Sequence, residues 1–491
     1  MEVIVIDDGV NEDCFSVGKL KHNLEVLEAL EIVPRRGYDT RKLSHGSVCA
    51  GIIKKYAPNC EIGSIKVMDQ EQCNGTSRQL LLALEWCLRE NIRVINMSLG
   101  SVDFRDFEEI QTLVARLLMN NCIIISAMHN SNYYSIPACL SGVIGVVSEP
   151  SFHNDQYTIN SNYLEQADIF ASSQHNLLYD YNGWFTPIPK ANSYAAPMVT
   201  ARVTHLLQNN VYHKVCEVKK ALWNASGMEK KSIGLGYGIR PDFIESAIVL
   251  NFSNHIMSEP YFFRILEWHE KPDLSKIVLS EGPHCFVILF SDEYVCNPKL
   301  NLEIYQFILR NKDHIYGLLY GGIMPNDLKK LCEDEVFCLV WDENAYGRLL
   351  LEFKATSKEC EIPIISVTGP KLLAIQALSL LKSEFYYDDY YVVKASSMKE
   401  AYLYGVEYIP NAIATRDIFQ YWEERYKNNA VIFAGTPSDI INADMQIILR
   451  EDADILEWSG NQMIVSASRL LANIKEIYQY IIKFFEEGEI K

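Results

Sequence analysis

Along residues 1–250, short runs rich in β-branched residues alternate with longer stretches whose apolar positions recur at helical spacing. Strands are expected at Val3–Ile6, Glu61–Val67, Val94–Ser98, Cys122–Ala127 and Val143–Val147, and helices at Ser44–Lys55, Ser77–Glu90, Asp106–Asn120 and Tyr194–Gln208. Such alternation implies a parallel sheet with helices on both faces. The glycine-rich segment Gly234-Leu235-Gly236-Tyr237-Gly238 punctuates its end. A second α/β pattern comes next, with strands expected at Cys285–Phe290, Ile315–Gly321 and Val336–Trp341 and a short helix at Asn326–Cys332. Glu361–Val367 opens a third unit, with later strands near Tyr390–Lys394, Val431–Ala434 and Ile455–Glu457. The chain closes on Ala467–Phe485, where Leu470, Leu471, Ile474, Ile477, Ile481 and Phe485 form a stripe expected to pack into a core. The expected domains are therefore residues 1–250, 260–355 and 360–491, without internal repeats or low-complexity linkers.

Composition narrows the class. Apolar residues are 48% and charged residues 22% of the 491, as in globular proteins with substantial cores. No segment reaches the roughly 18 uninterrupted apolar residues of a membrane span. The net charge of −18 repels phosphate backbones and anionic lipid, so neither nucleic acid nor membrane is expected as a partner. Thirteen cysteines lie scattered without a CxxC pair, which points to reduced, buried thiols rather than a zinc site or disulfide framework. Met1-Glu2 runs straight into Val3-Ile4-Val5-Ile6, with no signal-like segment, and a cytoplasmic location is expected.

Three motifs carry chemistry. Ile4-Val5-Ile6-Asp7-Asp8-Gly9-Val10 puts a carboxylate at the carboxyl end of a strand, where open parallel sheets form their sites. By itself it is also an ordinary turn. His45-Gly46-Ser47-Val48-Cys49-Ala50-Gly51 opens a helix on a histidine followed by small residues that permit close packing. A lone histidine there is commonly structural. Asn192-Ser193-Tyr194-Ala195-Ala196-Pro197-Met198-Val199 sets a serine at a helix start, which reads equally as an N-cap or as a nucleophile favoured by the helix dipole.

Taken together, and in this chain order, the motifs resemble those of the subtilisin-like serine peptidases. Val94-Ile95-Asn96-Met97-Ser98-Leu99-Gly100 resembles that family's cleft-lining strand. Ile124-Ile125-Ser126-Ala127-Met128-His129-Asn130 resembles the strand ending in its oxyanion asparagine. Ser135-Ile136-Pro137-Ala138 and Val143-Ile144-Gly145-Val146-Val147 resemble the segments beyond that asparagine, and Gly236-Tyr237-Gly238 resembles the end of the family's catalytic domain. The resemblance implies a catalytic triad of Asp7, His45 and Ser193. It makes Asn130 the oxyanion donor, and Ser98, Leu99, Gly100, Ala127, Met128 and His129 substrate-binding residues. No cofactor is implied, and a structural metal is left open.

Departures from the pattern bear on specificity. Asp8 stands where Ser or Thr is usual, and the kexin-like branch resembles this chain in having Asp-Asp-Gly there; Asp8 would either favour a basic substrate residue or sit as a solvated turn residue. Ala191-Asn192 replaces Gly-Thr. Met128 and His129 replace small residues in a wall of the primary specificity pocket and are expected to narrow it, His129 adding a titratable group. The absence of a lead-in before the aspartate strand fits an intracellular enzyme without a zymogen step.

The C-terminal half loosely resembles P-loop-like proteins of bacterial peptide-maturation systems. Pro363-Ile364-Ile365-Ser366-Val367-Thr368-Gly369 has the strand–turn layout, but Ala374, Ile375 and Gln376 stand where Gly, Lys and Ser/Thr are needed, so the unit is expected to be degenerate and to bind rather than hydrolyse. The fold class expected is α/β: a subtilisin-like parallel sheet flanked by helices, then a second α/β region with this degenerate unit. The function expected is an intracellular endopeptidase that cleaves a specific peptide or protein, such as a precursor-peptide leader, with a peptide-maturation partner recruited by the C-terminal half. The alternatives are a catalytically silent peptide-binding pseudo-protease and a general degradative protease.

Overall fold

The computed structural model describes residues 1–69, 75–131, 133–160, 166–178, 185–187, 191–227, 237–291, 297–351, 353, 360–410, 415–435, 443–450, 457–466, 468 and 470–488. Its first region contains strands β1 (Glu2–Asp7), β2 (Asn23–Val26) and β3 (Ile32–Pro34), helix α1 (His45–Tyr56), then β4 (Glu61–Lys66), α2 (Ser77–Arg89), β5 (Val94–Met97) and α3 (Phe107–Met119). Next come β6 (Ile123–Ala127), β7 (Ile144–Ser148), β8 (Tyr157–Ile159), β9 (Ile169–Ala171), the pair β10 (Asn176–Leu178) and β11 (Phe185–Pro187), α4 (Asn192–Asn209) and α5 (Val215–Ala225).

Nine of these strands form one sheet in the order β3-β2-β4-β1-β5-β6-β7-β9-β8. It is parallel from β2 to β9, and antiparallel only where β3 and β8 pair at its edges. The central strands are buried along their length, Val3, Ile4, Val5 and Ile6 having no exposed surface. Continuous apolar runs follow from burial on both faces. Each of the five strands and four helices expected in this region is present, with ends shifted by one or two residues. Of the closing glycine segment, Gly234, Leu235 and Gly236 lie outside the described residues; Tyr237 bridges to Val340.

A second sheet, order β13-β12-β14-β15-β16, is built from β12 (Ser246–Phe252), β13 (Arg264–Glu270), β14 (His284–Phe290), β15 (Ile315–Gly321) and β16 (Leu339–Asp342), with helices α6 (Pro298–Arg310) and α7 (Asn326–Leu331). The strand expected from Val336 starts only at Leu339, because Phe337 turns the chain with φ 53°. This sheet packs with the first in one compact unit, Met1–His255 with Ile265–Asp342. Polar contacts join them: Lys214 Nζ donates to the carbonyls of Lys312 (2.8 Å) and Val336 (2.7 Å), and Trp341 Nε1 to that of Ile239 (2.8 Å).

The other unit comprises Ile256–Arg264 and Glu343–Lys491. It holds α8 (Ala345–Leu350), β17 (Ile364–Thr368), α9 (Lys371–Tyr387), β18 (Val392–Ser396), β19 (Glu407–Tyr408), α10 (Thr415–Tyr426), β20 (Ala430–Ala434), β21 (Met445–Arg450), β22 (Glu457–Ser459), β23 (Gln462–Ser466) and α11 (Leu470–Gly488). The sheet order is β19-β18-β20-β17-β21-β23-β22, parallel except for β22. Of the strand expected at Ile455–Glu457, only Glu457 falls among the described residues. The α11 stripe packs as expected at Leu470, Ile474, Ile477 and Ile481, but Leu471 is 72% exposed and does not belong to it. Leu470 and Leu471 are adjacent and point to different sides of the helix, so only one of the two can face the sheet. We propose that the three sheets correspond to the three domains expected near 1–250, 260–355 and 360–491. Among the described residues no helix is long and apolar enough to cross a membrane.

Candidate active site

The site forms at the carboxyl end of β1, beside the starts of α1 and α4. Asp7 closes β1 and is buried. Both its oxygens lie 2.9 Å from His45 Nδ1, and one also accepts the Asp8 amide at 2.8 Å. A carboxylate can only accept here, so Nδ1 carries the ring proton and Nε2 is left as the acceptor. Ser193 Oγ lies 3.0 Å from that Nε2. Hydroxyl, imidazole and carboxylate thus stand in one hydrogen-bonded line drawn from residues 7, 45 and 193.

Each helix start is fixed by local chemistry. Ser44 caps α1, accepting the Ser47 amide at 3.2 Å and donating to Gly9 O at 2.7 Å. Gly46 must be glycine, because a Cβ would stand 2.8 Å from Gly9 O and 3.2 Å from Asp7 Cβ. Asp8 is not the solvated turn residue that was one of its two expected roles: it is buried and accepts the backbone amides of His45 (3.0 Å) and Gly46 (2.7 Å). A carboxylate on the first amides of a helix satisfies donors that the helix itself cannot. Burial, then repulsion from Asp7, holds the Asp8 pKa above the usual carboxylate value.

Helix α4 begins at Asn192, so Ser193 is its second residue and Pro197 falls in its second turn. Proline has no N–H to return to the carbonyl four residues earlier, which is that of Ser193. Ser98 supplies the donor instead, its Oγ–H reaching Ser193 O at 2.9 Å. Ser98, expected among the substrate-binding residues, thereby spends its hydroxyl on the backbone of Ser193. Asn192 ties three segments together: its Oδ1 accepts from Ser148 N (2.7 Å) and its Nδ2 donates to Met128 O and His129 O (both 3.1 Å). Asn130 Oδ1 accepts the Asn192 amide at 3.0 Å, which leaves the Asn130 Nδ2 donors on the other side of its amide.

The remaining expected residues separate by burial. Ala127 and Met128 are buried, whereas His129 and Asn130 are exposed at the end of β6. His129 Nδ1 accepts from Ser131 N at 3.2 Å, so its Nε2 carries the proton in the neutral ring. Leu99 is half-buried and Gly100 exposed.

Sequence reasoning passed over three neighbours. Cys49, one helical turn beyond His45, is fully buried, with Sγ 3.8 Å from His45 Nδ1, 3.4 Å from Ser98 Oγ and 3.6 Å from Ser193 O. The i, i+4 spacing on one helix was the available signal. Tyr194 lays its ring beside the His45 imidazole, centroids 5.0 Å apart and planes 34° apart. His175 is buried, Nδ1 taking the Tyr56 hydroxyl (3.0 Å) and Nε2 donating to Tyr194 O (3.1 Å); burial lowers its pKa to about 4, keeping it neutral.

Burial disfavours a charged His45, but Cys49 and Asp7 carry its pKa above the ordinary histidine value. Burial also raises the pKa of the Cys49 thiol. Asp7, His45 and Cys49 bring a carboxylate oxygen, an imidazole nitrogen and a thiol within 4.8 Å of one another. The Asp7–His45 hydrogen bond occupies the atoms a metal would need, and we assign none. A line of this kind can draw a proton from a hydroxyl and hold the resulting imidazolium, which is the chemistry of a serine hydrolase.

Residues 2–238 match the model of the subtilase family. The match spans just under half of the chain and supports reading the protein as a subtilisin-like serine endopeptidase. Similar solved structures include a cold adapted subtilisin-like serine proteinase (23% identity, 47% of this chain and 84% of that one covered, TM-score 0.37). A lanthipeptide protease (18%, 47% and 81%, 0.37) and the prenylagaramide maturation protease PagA (20%, 47% and 84%, 0.36) are also similar. No curated protein matches the chain.

Proposed function

We propose that Ser193, His45 and Asp7 are the catalytic triad of this endopeptidase and that it cleaves a specific peptide or protein, such as a precursor-peptide leader. The observation that carries the reading is the unbroken line from Ser193 Oγ through the His45 ring to Asp7. Ser193 Oγ attacks the scissile carbonyl while His45 Nε2 takes its proton and later delivers it to the leaving amine. Asp7 keeps the proton on Nδ1 and stabilises the imidazolium. Asn130 Nδ2, with the Ser193 amide at the start of α4, receives the oxyanion. His129, exposed where a small residue is typical of the family, supports narrow specificity. The cytoplasm is the location we propose, on the unpaired spacing of the thirteen cysteines.

Digestion of a peptide library by the full chain and by Ser193→Ala, followed by mass spectrometry, tests both parts. Cleavage at a restricted set of sequences, abolished in the variant, is the expected result. Cleavage after many residue types would favour a degradative protease, and none in either protein would favour a peptide-binding pseudo-protease.

A further inference from the structure

Tyr194 is the residue directly after the proposed nucleophile, and its position is set twice over. Its amide bonds to Ala191 O at 3.0 Å and its carbonyl accepts from His175 Nε2 at 3.1 Å. His175 is held in turn by the Tyr56 hydroxyl, and as a buried neutral ring it offers one donor and one acceptor, both used. With its backbone fixed in this way, the Tyr194 ring comes to rest 5.0 Å from the His45 ring, in a tilted stack. The face of an aromatic ring attracts a cation within about 6 Å of its centroid. His45 becomes a cation at the moment the serine proton is transferred.

Resting on the triad assignment above, we propose that Tyr194 is a positioning residue for His45, its ring stabilising the imidazolium formed in the transition state and holding the imidazole on the line between Asp7 and Ser193. The charged and titratable groups facing His45 are Asp7 at the end of β1, Asp8 on its backbone amide, Cys49 on its own helix and the Tyr194 phenol. Two of these are silent near neutral pH. Burial raises the pKa of both the Cys49 thiol and the Tyr194 phenol, so both remain uncharged there. The ring therefore acts through its face, and a phenyl ring serves as well as a phenol.

A ring that stabilises the imidazolium raises the His45 pKa, so its removal lowers that pKa and shifts the acidic limb of reactivity to lower pH. The reaction loses the same stabilisation, and the plateau rate falls.

The test measures the second-order rate of Ser193 modification by a fluorophosphonate on the full chain, between about pH 5 and pH 10. The proteins compared are wild type, Tyr194→Phe, Tyr194→Met and Tyr194→Leu, each checked by thermal melting. Tyr194→Phe is expected to keep rate and profile. The two variants without a ring are expected to lose about three- to tenfold in plateau rate and to move the acidic limb down by about half to one pH unit. Tyr194→Met fills the space without a branch and decides the matter if Tyr194→Leu does not fold. Folded ring-free variants with the wild-type rate and limb would overturn the proposal, as would a Tyr194→Phe variant that loses both. A wild type that fails to react would instead remove the triad reading, and this inference with it.

Discussion

The nine-stranded and seven-stranded sheets both place a first strand, a glycine and a helix at the point where a parallel sheet forms sites, yet they fill that point differently. At the end of β1, Asp7 and Asp8 are buried carboxylates with partners on α1, and the helix enters on a histidine. At the end of β17, Gly369 takes φ +148° and α9 begins two residues later at Lys371, with no side-chain cap. Positions 374–376, where a phosphate loop would need Gly, Lys and Ser/Thr, already lie within that helix. Ala374 and Ile375 are buried in the core of the sheet, and Lys371 pairs with Glu400 at 3.0 Å. The layout alone does not make a site; the side chains set on it do.

The largest effect expected from this contrast is at His45. His45→Ala should reduce peptide hydrolysis by about 10⁴-fold or more while leaving the melting temperature near that of wild type, since the ring is part-exposed and its bonds serve the chemistry. Measured kcat with any cleaved peptide decides this. Next comes Asn130→Ala, expected to lower kcat about 10²- to 10³-fold with little change in KM, because the lost donor acts on the oxyanion alone. An equal rise in KM would mean that Asn130 binds substrate instead.

The two sheets can also be broken separately. Gly46→Ala forces a Cβ to 2.8 Å from Gly9 O, between the strand that bears Asp7 and the helix that bears His45. Gly369→Ala places one 2.7 Å from Leu449 Cβ at a φ that L residues avoid. Each should cost about 1–3 kcal/mol of stability by denaturant unfolding, but only Gly46→Ala should slow Ser193 modification. The smallest effect belongs to Ser98→Ala, which removes the hydroxyl donor from the Ser193 carbonyl and leaves it the weaker Cys49 thiol at 3.6 Å. A lost hydrogen bond of this kind is worth about 1 kcal/mol, hence a decline of about fivefold in rate.

Much of the first sheet was legible because its strands are buried on both faces and therefore written as unbroken β-branched runs. Helix α6 carries equally readable signs, Asn297 capping it, Pro298 at its first position and Leu300, Ile304, Phe307 and Ile308 on one face. The short half-buried β2–β3 hairpin carries none, since its four- and three-residue strands owe their form to pairing with β4. At the site, the motifs pointed to Asp7, His45 and Ser193, which the fold brings into one hydrogen-bonded line. The work of Asp8, Ser98 and Asn192 could not be read from motifs, because it depends on which backbone groups the fold leaves short of a partner. Pro197 shows the difference: its residue type announces a missing donor, but only the folded chain places Ser98 within reach of the orphaned carbonyl.

The most direct test of the account is covalent labelling with a fluorophosphonate, with the adduct mapped by peptide mass spectrometry in wild type and Ser193→Ala. The account predicts one adduct on Ser193 that disappears in the variant. An unlabelled wild type, or an adduct that persists in Ser193→Ala, would contradict it.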